Sequence, residues 1–448
     1  MPLPELKQRP TNGLRARLQT GVKYTSIHTL SRVALNAAAR RGDVVASLLT
    51  DRERLEHPHA DFERLRARGP VVFGRTSASI VDHAAINDVL RSEDFGVGDG
   101  VGPLPESMKR LIAWSRDPWS AGPVDPPSLL AVDPPLHTRL RRLVSKSFTA
   151  RAISKWQETV EKTAAGLVDE LAEAGAGGRP VDLVDAYASQ LPVAIIAGML
   201  GVWDRGQRAQ VLEWGNLAAT LLDPGLTRQQ FRDADRAVRD LHVWLADQIE
   251  AKRRDPGDDL LSQLVALQGE DALTDDELRS TALLVLGAGF ETTVNLISNA
   301  VVLLDTHPDQ KQLAFADPSL WGNVVEETLR FDPPVRLNVR QAYKDTRVAG
   351  VDVPNGQFLV LFIAAANRDP ALFDDPHTFD VTRTNADQHL SFSAGAHYCL
   401  GASLARLEAR IALEALYSRF PSLTVAGTPE RRSTMVLHGF EHLPVTLG

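Results

Sequence analysis

Asp275–Thr306 constrains this chain more than any other segment. Its apolar residues recur on every side of a helical wheel, so as a helix it has no face suited to water. Such a helix is stable only inside a shell of other elements, which makes it the buried centre of a mainly helical protein. The same helix breaks its own local rules. Gly287-Ala288-Gly289-Phe290-Glu291-Thr292-Thr293 puts two glycines and an acid in its interior. Each glycine costs about 1 kcal/mol against alanine, and a buried carboxylate costs more still unless it is paired. Local choices that oppose the surrounding pattern mark functional sites.

Helical periodicity dominates the rest of the chain. Residues 62–68 and 83–91 read as short helices, with strands at 71–73 and 79–81 between them. Longer amphipathic helices are expected at 139–171, 183–200, 207–222 and 229–254, the last stopped by Asp255-Pro256-Gly257-Asp258. Residues 350–363 are the best strand region, with Pro354-Asn355-Gly356 as a turn between two runs rich in Val and Leu. The segment 95–135, rich in Gly, Pro, Asp and Ser, is too long for an ordinary connection, and loops of that kind often bind ligands. The fold class is therefore mainly α with a smaller β region. Nothing divides residues 43–448, which read as a single catalytic domain behind a basic extension, 1–42.

A net charge of −8 gives no reason to expect nucleic-acid binding. No uninterrupted apolar run approaches the roughly 20 residues that span a bilayer; the longest, 193–203 and 282–290, suit core helices. Residues 1–42 lack the apolar centre of a signal peptide. They carry eight Lys/Arg against the single acid Glu5, which suits a solvated extension first and a weak peripheral contact with an anionic membrane second.

Cys399 is the only cysteine of the chain, in Phe392-Ser-Ala-Gly-Ala-His-Tyr-Cys-Leu-Gly401. A lone cysteine forms no intramolecular disulfide and builds no four-cysteine metal site. It fits a reducing cytoplasm, and cytoplasmic is the expected location. One thiolate can serve as an axial ligand of a haem iron; the plainer reading is a small buried hydrophobe. The helix expected at 402–417 would favour the anionic sulfur through its N-terminal dipole.

The pattern Phe392-x-x-Gly395-x-His397-x-Cys399-x-Gly401 resembles the cysteine-ligand loop of the cytochromes P-450, and further motifs follow that family's order from about Asp61 onward. The resemblance implies the P-450 fold, with the long central helix over a buried haem b and Cys399 as the iron's axial ligand. It implies that Gly289 leaves room for dioxygen, that Ala288 lines the cofactor site beside it, that Thr292 hydrogen-bonds the bound oxygen, and that Glu291 relays protons toward it. Glu327 and Arg330, three apart on one helix, match the family's structural ion pair. His137, Arg141, Arg340 and His397 match positions that contact the haem propionates. The run 364–370 matches a recurrent segment with a structural role.

The implied activity is a monooxygenase that places one oxygen atom of O2 into a lipophilic substrate. With one cysteine and no Gly-x-Gly-x-x-Gly run, the chain holds neither an iron–sulfur cluster nor an evident flavin module, so NAD(P)H serves it only through a ferredoxin and a ferredoxin reductase. Arg142, Lys146, Arg406 and Arg410 are candidates for a basic docking patch. By the same resemblance, the substrate pocket draws on 95–130, 216–221, Leu286, Gly289, 335–339 and 437–440, with Arg336 or His438 available for a polar group. A steroid, another large lipid or a polyketide macrolide would suit such a pocket. The competing readings are a peroxide-driven peroxygenase, which the Glu291-Thr292 pair opposes, and a haem sensor or carrier without turnover.

Overall fold

The computed structural model describes residues 13–75, 77–98, 106–269 and 272–448. Its contacts divide the chain into two compact units. The first comprises the described parts of Met1–Ala37, Val97–Val144 and Ile196–Ala288. The second comprises the described parts of Ala38–Gly96, Ser145–Ile195 and Gly289–Gly448.

The first unit is helical. Leu14–Lys23 continues through a π-helical turn, Tyr24–Thr29, into Leu30–Ala39. Lys23 fastens this N-terminal helix by donating to Asp125 and to the Ser120 carbonyl, both at 2.8 Å. His28 is buried, with its ring 5.0 Å from that of Phe231. Residues 1–12 of the basic extension lie outside the described residues. The segment 95–135 is not the continuous loop its composition suggested, because Glu106–Ser115 is a helix and Pro118–Ser120 a 3-10 turn. Trp119 is buried beneath the Arg279 guanidinium, 4.3 Å away, and Arg239 bridges Asp117 and Asp235. Residues 99–105 lie outside the described residues. The helices Arg205–Ala219 and Arg228–Arg254 pack together, and a reciprocal Thr227–Gln230 capping box starts the second.

The helix expected at 139–171 is three helices: Leu136–Ser145, Ala150–Ser154 and Gln157–Ala174. Thr149 interrupts it with extended backbone, and its hydroxyl caps the Ala152 amide.

The second unit holds the β structure. Its five-stranded sheet runs in the order Val72–Phe73, Ala78–Ile80, Phe358–Phe362, Leu337–Ala342, Phe95–Gly96. Ala78–Ile80 lies parallel to Phe358–Phe362, and the remaining neighbours are antiparallel. The turn at 354–356 is present, with Gly356 at φ +82. The runs it joins do not pair with each other: Val351–Val353 pairs with Thr346–Val348, while Phe358–Phe362 enters the large sheet. Gln157–Ala174 and Trp321–Phe331 both pack against Ala402–Arg419.

Asp275–Thr306 forms as one helix. Among the described residues it is the one helix long and apolar enough to cross a bilayer, and most of that window is buried within the protein, as expected of a central core helix.

Candidate active site

The loop at 392–401 is closed on itself. The Cys399 amide donates to the Phe392 carbonyl at 2.8 Å, and the Tyr398 amide to Gly395 at 3.1 Å. Gly395 has φ +66, and a Cβ there would overlap the Leu90 carbonyl, so only glycine fits. Gly401 caps the helix Ala402–Arg419, so the helix starts just beyond Cys399. Four residues into that helix, Arg406 lies 4.5 Å above the Phe392 ring and grips Glu326 at 2.6 and 2.9 Å. Burial alone would raise the Glu326 pKa, but hydrogen bonds from His389 and Arg406 pull it down to about 2.

Cys399 is half-buried, and no group of three or more His, Cys, Asp or Glu suited to a metal ion occurs among the described residues. A single sulfur is too small a donor set for a bare structural ion. It fits an iron whose other ligands come from its own macrocycle. The haem therefore fits the residues present.

Glu327 and Arg330 are both fully buried and joined by two parallel hydrogen bonds of 2.7 Å. Arg330 also donates to the carbonyls of Asn367, Pro376 and Thr378, and Glu327 accepts from the Asp380 amide. The pair thus fastens a helix to the irregular chain at 367–380. The Asn367 amide bonds Leu329 and Ser391, consistent with a structural role for 364–370. Glu63 and Arg66 share the spacing without the burial, although Arg66 reaches the Val81 and Ala365 carbonyls.

Away from its ends, the central helix has a single exposed residue. Ala288 is exposed and Gly287, Gly289 and Thr292 are half-buried, while most of the surrounding helix is buried. Ala288 and Thr292 are one turn apart and share a face. The Thr293 hydroxyl bonds back to the Gly289 carbonyl at 3.2 Å. Glu291 points into the protein, 1% exposed. Burial raises its pKa, and the Arg432 guanidinium, with Nε 3.1 Å from Oε1, acts in the opposite direction. Arg432 was not legible in the sequence, since it follows a short strand near the C-terminus with no motif around it.

Arg340 is buried on the strand Leu337–Ala342, in the same unit as Cys399 and His397. His137 and Arg141 belong to the other unit, one turn apart on Leu136–Ser145, with His137 2% exposed. Arg336 and His438 are not available to a substrate. They contact each other, Arg336 donates to the Leu55 carbonyl, and His438 meets Asp332 at 2.9 Å. Burial lowers the His438 pKa to about 4. Of the four candidate docking cations, Arg142 and Lys146 are exposed, whereas Arg406 is committed to Glu326 and Arg410 to Glu414.

The family model for cytochrome P450 matches residues 121–314 and 319–439. The putative cytochrome P450 140 of Mycobacterium tuberculosis is 44% identical over 432 residues, covering 95% of this chain and 97% of the relative. The 6-deoxyerythronolide B hydroxylase of Saccharopolyspora erythraea is 42% identical over 320 residues, covering 70% of this chain and 76% of that one. Among solved structures, Mycobacterium smegmatis CYP164A2 superimposes with a TM-score of 0.79 at 37% identity, over 90% of this chain and 99% of its own. Agreement of that length, in sequence and in fold, supports one assignment: the chain belongs to the cytochrome P450 family.

Proposed function

We propose that this monooxygenase hydroxylates or epoxidises a large lipophilic molecule, a polyketide or a lipid such as a steroid, with electrons from an external ferredoxin and its reductase. The observation that carries the reading is Cys399, the single thiol of the chain, in a loop closed on Phe392 and set just ahead of a helix. Haem b, when bound, supplies the activation of O2. Cys399 would hold the iron through its sulfur and lend it electron density. Arg340, His397, His137 and Arg141 hold the propionates, the arginines through forked N–H pairs. Ala288 and Gly289 keep the helix face low, and the buried Glu291 carboxyl would pass protons to the Thr292 hydroxyl on that face. Glu327 and Arg330 retain the haem indirectly, by fixing the chain behind it.

The substrate class rests on two supports. The macrolactone hydroxylase named above is a relative, and Val124, Leu130 and Leu217, from segments assigned to the pocket, leave apolar side chains exposed. A Cβ on Gly122 would lie 3.1 Å from the Leu221 side chain, so 95–130 and 216–221 run close together in the first unit.

The test is the absorption spectrum of the purified protein, reduced and exposed to carbon monoxide. A strongly red-shifted Soret band that disappears in Cys399→Ala is expected, and a protein that takes up no haem refutes the reading. Turnover with NADH, ferredoxin and reductase, against turnover with hydrogen peroxide alone, then separates a monooxygenase from a peroxygenase. Inactivity under both leaves a sensor or carrier.

A further inference from the structure

We propose that Arg432 is the positioning residue of the proton relay: from the C-terminal hairpin it sets the charge and orientation of the Glu291 carboxyl and connects that buried group to solvent. The inference rests on reading Glu291 as the relay acid and adds the group that controls it.

The hairpin of Glu430–Arg431 and Phe440–His442 is braced where the Arg432 amide donates to the Gly439 carbonyl at 3.1 Å. A Cβ on Gly439 would overlap the Asn295 side chain, so its lack of a side chain lets the hairpin lie against the central helix. Asn295 is one turn beyond Glu291 on the same face. Arg432 Nε reaches within 3.1 Å of Glu291 Oε1, and the two side chains are 12% and 2% exposed. The arginine therefore spans the distance between a sealed carboxylate and the protein's edge.

The contact is close without being an aligned hydrogen bond, since Nε and both carboxylate oxygens lack one. Charge holds the pair, so it can part and re-form with little rearrangement. The adjacent Arg431 is spent elsewhere, on Asp332 at 3.3 Å and His438 at 2.8 Å. Glu441, also on the hairpin, is the other charged group acting on Glu291, and it works against Arg432 by raising the carboxyl's pKa. In the relay step the Glu291 O–H bond breaks and its proton passes to the Thr292 side. The carboxylate left behind faces Arg432, which stays protonated throughout, and a proton from solvent restores the acid.

The experiment titrates the protonated-carboxyl infrared band of Glu291 in the full-length haem-loaded protein, assigned by its loss in Glu291→Gln. An opposing charge at this range lowers a carboxyl pKa by about one to three units. Arg432→Ala is expected to raise the midpoint by that amount and to move the pH profile of coupling, electrons consumed per product, in the same direction. Arg432→Lys is expected to restore most of both. An unchanged midpoint in Arg432→Ala overturns the proposal and leaves Arg432 as a fastener of the hairpin. If the alanine variant fails to fold, Arg432→Gln, which removes the charge while leaving a polar side chain at that position, must show the same shift, and its absence is equally fatal. Wild-type turnover by Glu291→Gln refutes instead the relay reading beneath the proposal.

Discussion

Glu408 is a costly side chain in the second unit. It sits on the helix behind Cys399, 1% exposed, and neither carboxylate oxygen has a hydrogen-bond partner. Burial raises its pKa well above the usual carboxylate range, so the folded protein holds it as the neutral acid. The unfolded chain ionises it above about pH 4. Folding must then take up a proton, and stability falls as pH rises. Glu408→Gln is expected to be more stable than the native protein in urea at pH 8, the gain closing as pH falls through about 4. A gain that does not change with pH would mean the effect lies in packing. Neither this liability nor the Glu291–Arg432 pair could be read from the sequence. Glu408 and Arg432 stand among ordinary neighbours, and burial is a property of what folds around a residue.

Local patterns specified elements better than partners. The cysteine loop was legible because its glycines and its cysteine lie within ten residues and constrain one another. Gly395→Ala is expected to cost about 1–3 kcal/mol, from the left-handed backbone and the overlap with Leu90, and to lower the haem-to-protein ratio. Gly401, at φ −88 with open space around a Cβ, should accept alanine with little change in thermal midpoint. Equal losses at both positions would contradict this account. Strand pairing was not legible. The turn at Pro354-Asn355-Gly356 and the two runs it joins are present, yet the runs belong to different sheets, because alternation of side chains defines a strand's faces and leaves its neighbour open. The break at Thr149 was missed for a similar reason: apolar spacing continues through it, and only the cap reveals the stop.

At the scale of the molecule, charge governs acid stability and, in the reading proposed above, partner docking. Glu326, held down to about pKa 2 by His389 and Arg406, supports the fold above the ordinary carboxylate pKa and loses that support as pH falls toward 2. The contribution is up to about 3 kcal/mol, and Glu326→Gln should flatten the acid-unfolding curve between about pH 4.5 and 2. Charge reversal separates the two kinds of basic residue. Arg142→Glu with Lys146→Glu is expected to raise the KM for reduced ferredoxin several-fold, more at low salt, with substrate binding unchanged. Arg406→Glu should instead destabilise the protein by about 2 kcal/mol through Glu326. A KM left unchanged by the first pair would remove those residues from the docking surface.

What the sequence alone determined is the chemistry that depends on neighbours along the chain. It specified the cysteine loop, the Gly-x-Glu-Thr run in a helix apolar on all sides, the Glu-x-x-Arg pair and the mainly helical class. Each is a short-range pattern whose meaning survives without a partner. Tertiary structure alone decided what faces what. It spent Arg336 and His438 on a buried cluster with Asp332, committed Arg406 to Glu326, sealed Glu408 without a partner, and brought Arg432 from the C-terminal hairpin to Glu291. Those outcomes turn on burial and on contacts across long separations, which residue order does not encode locally.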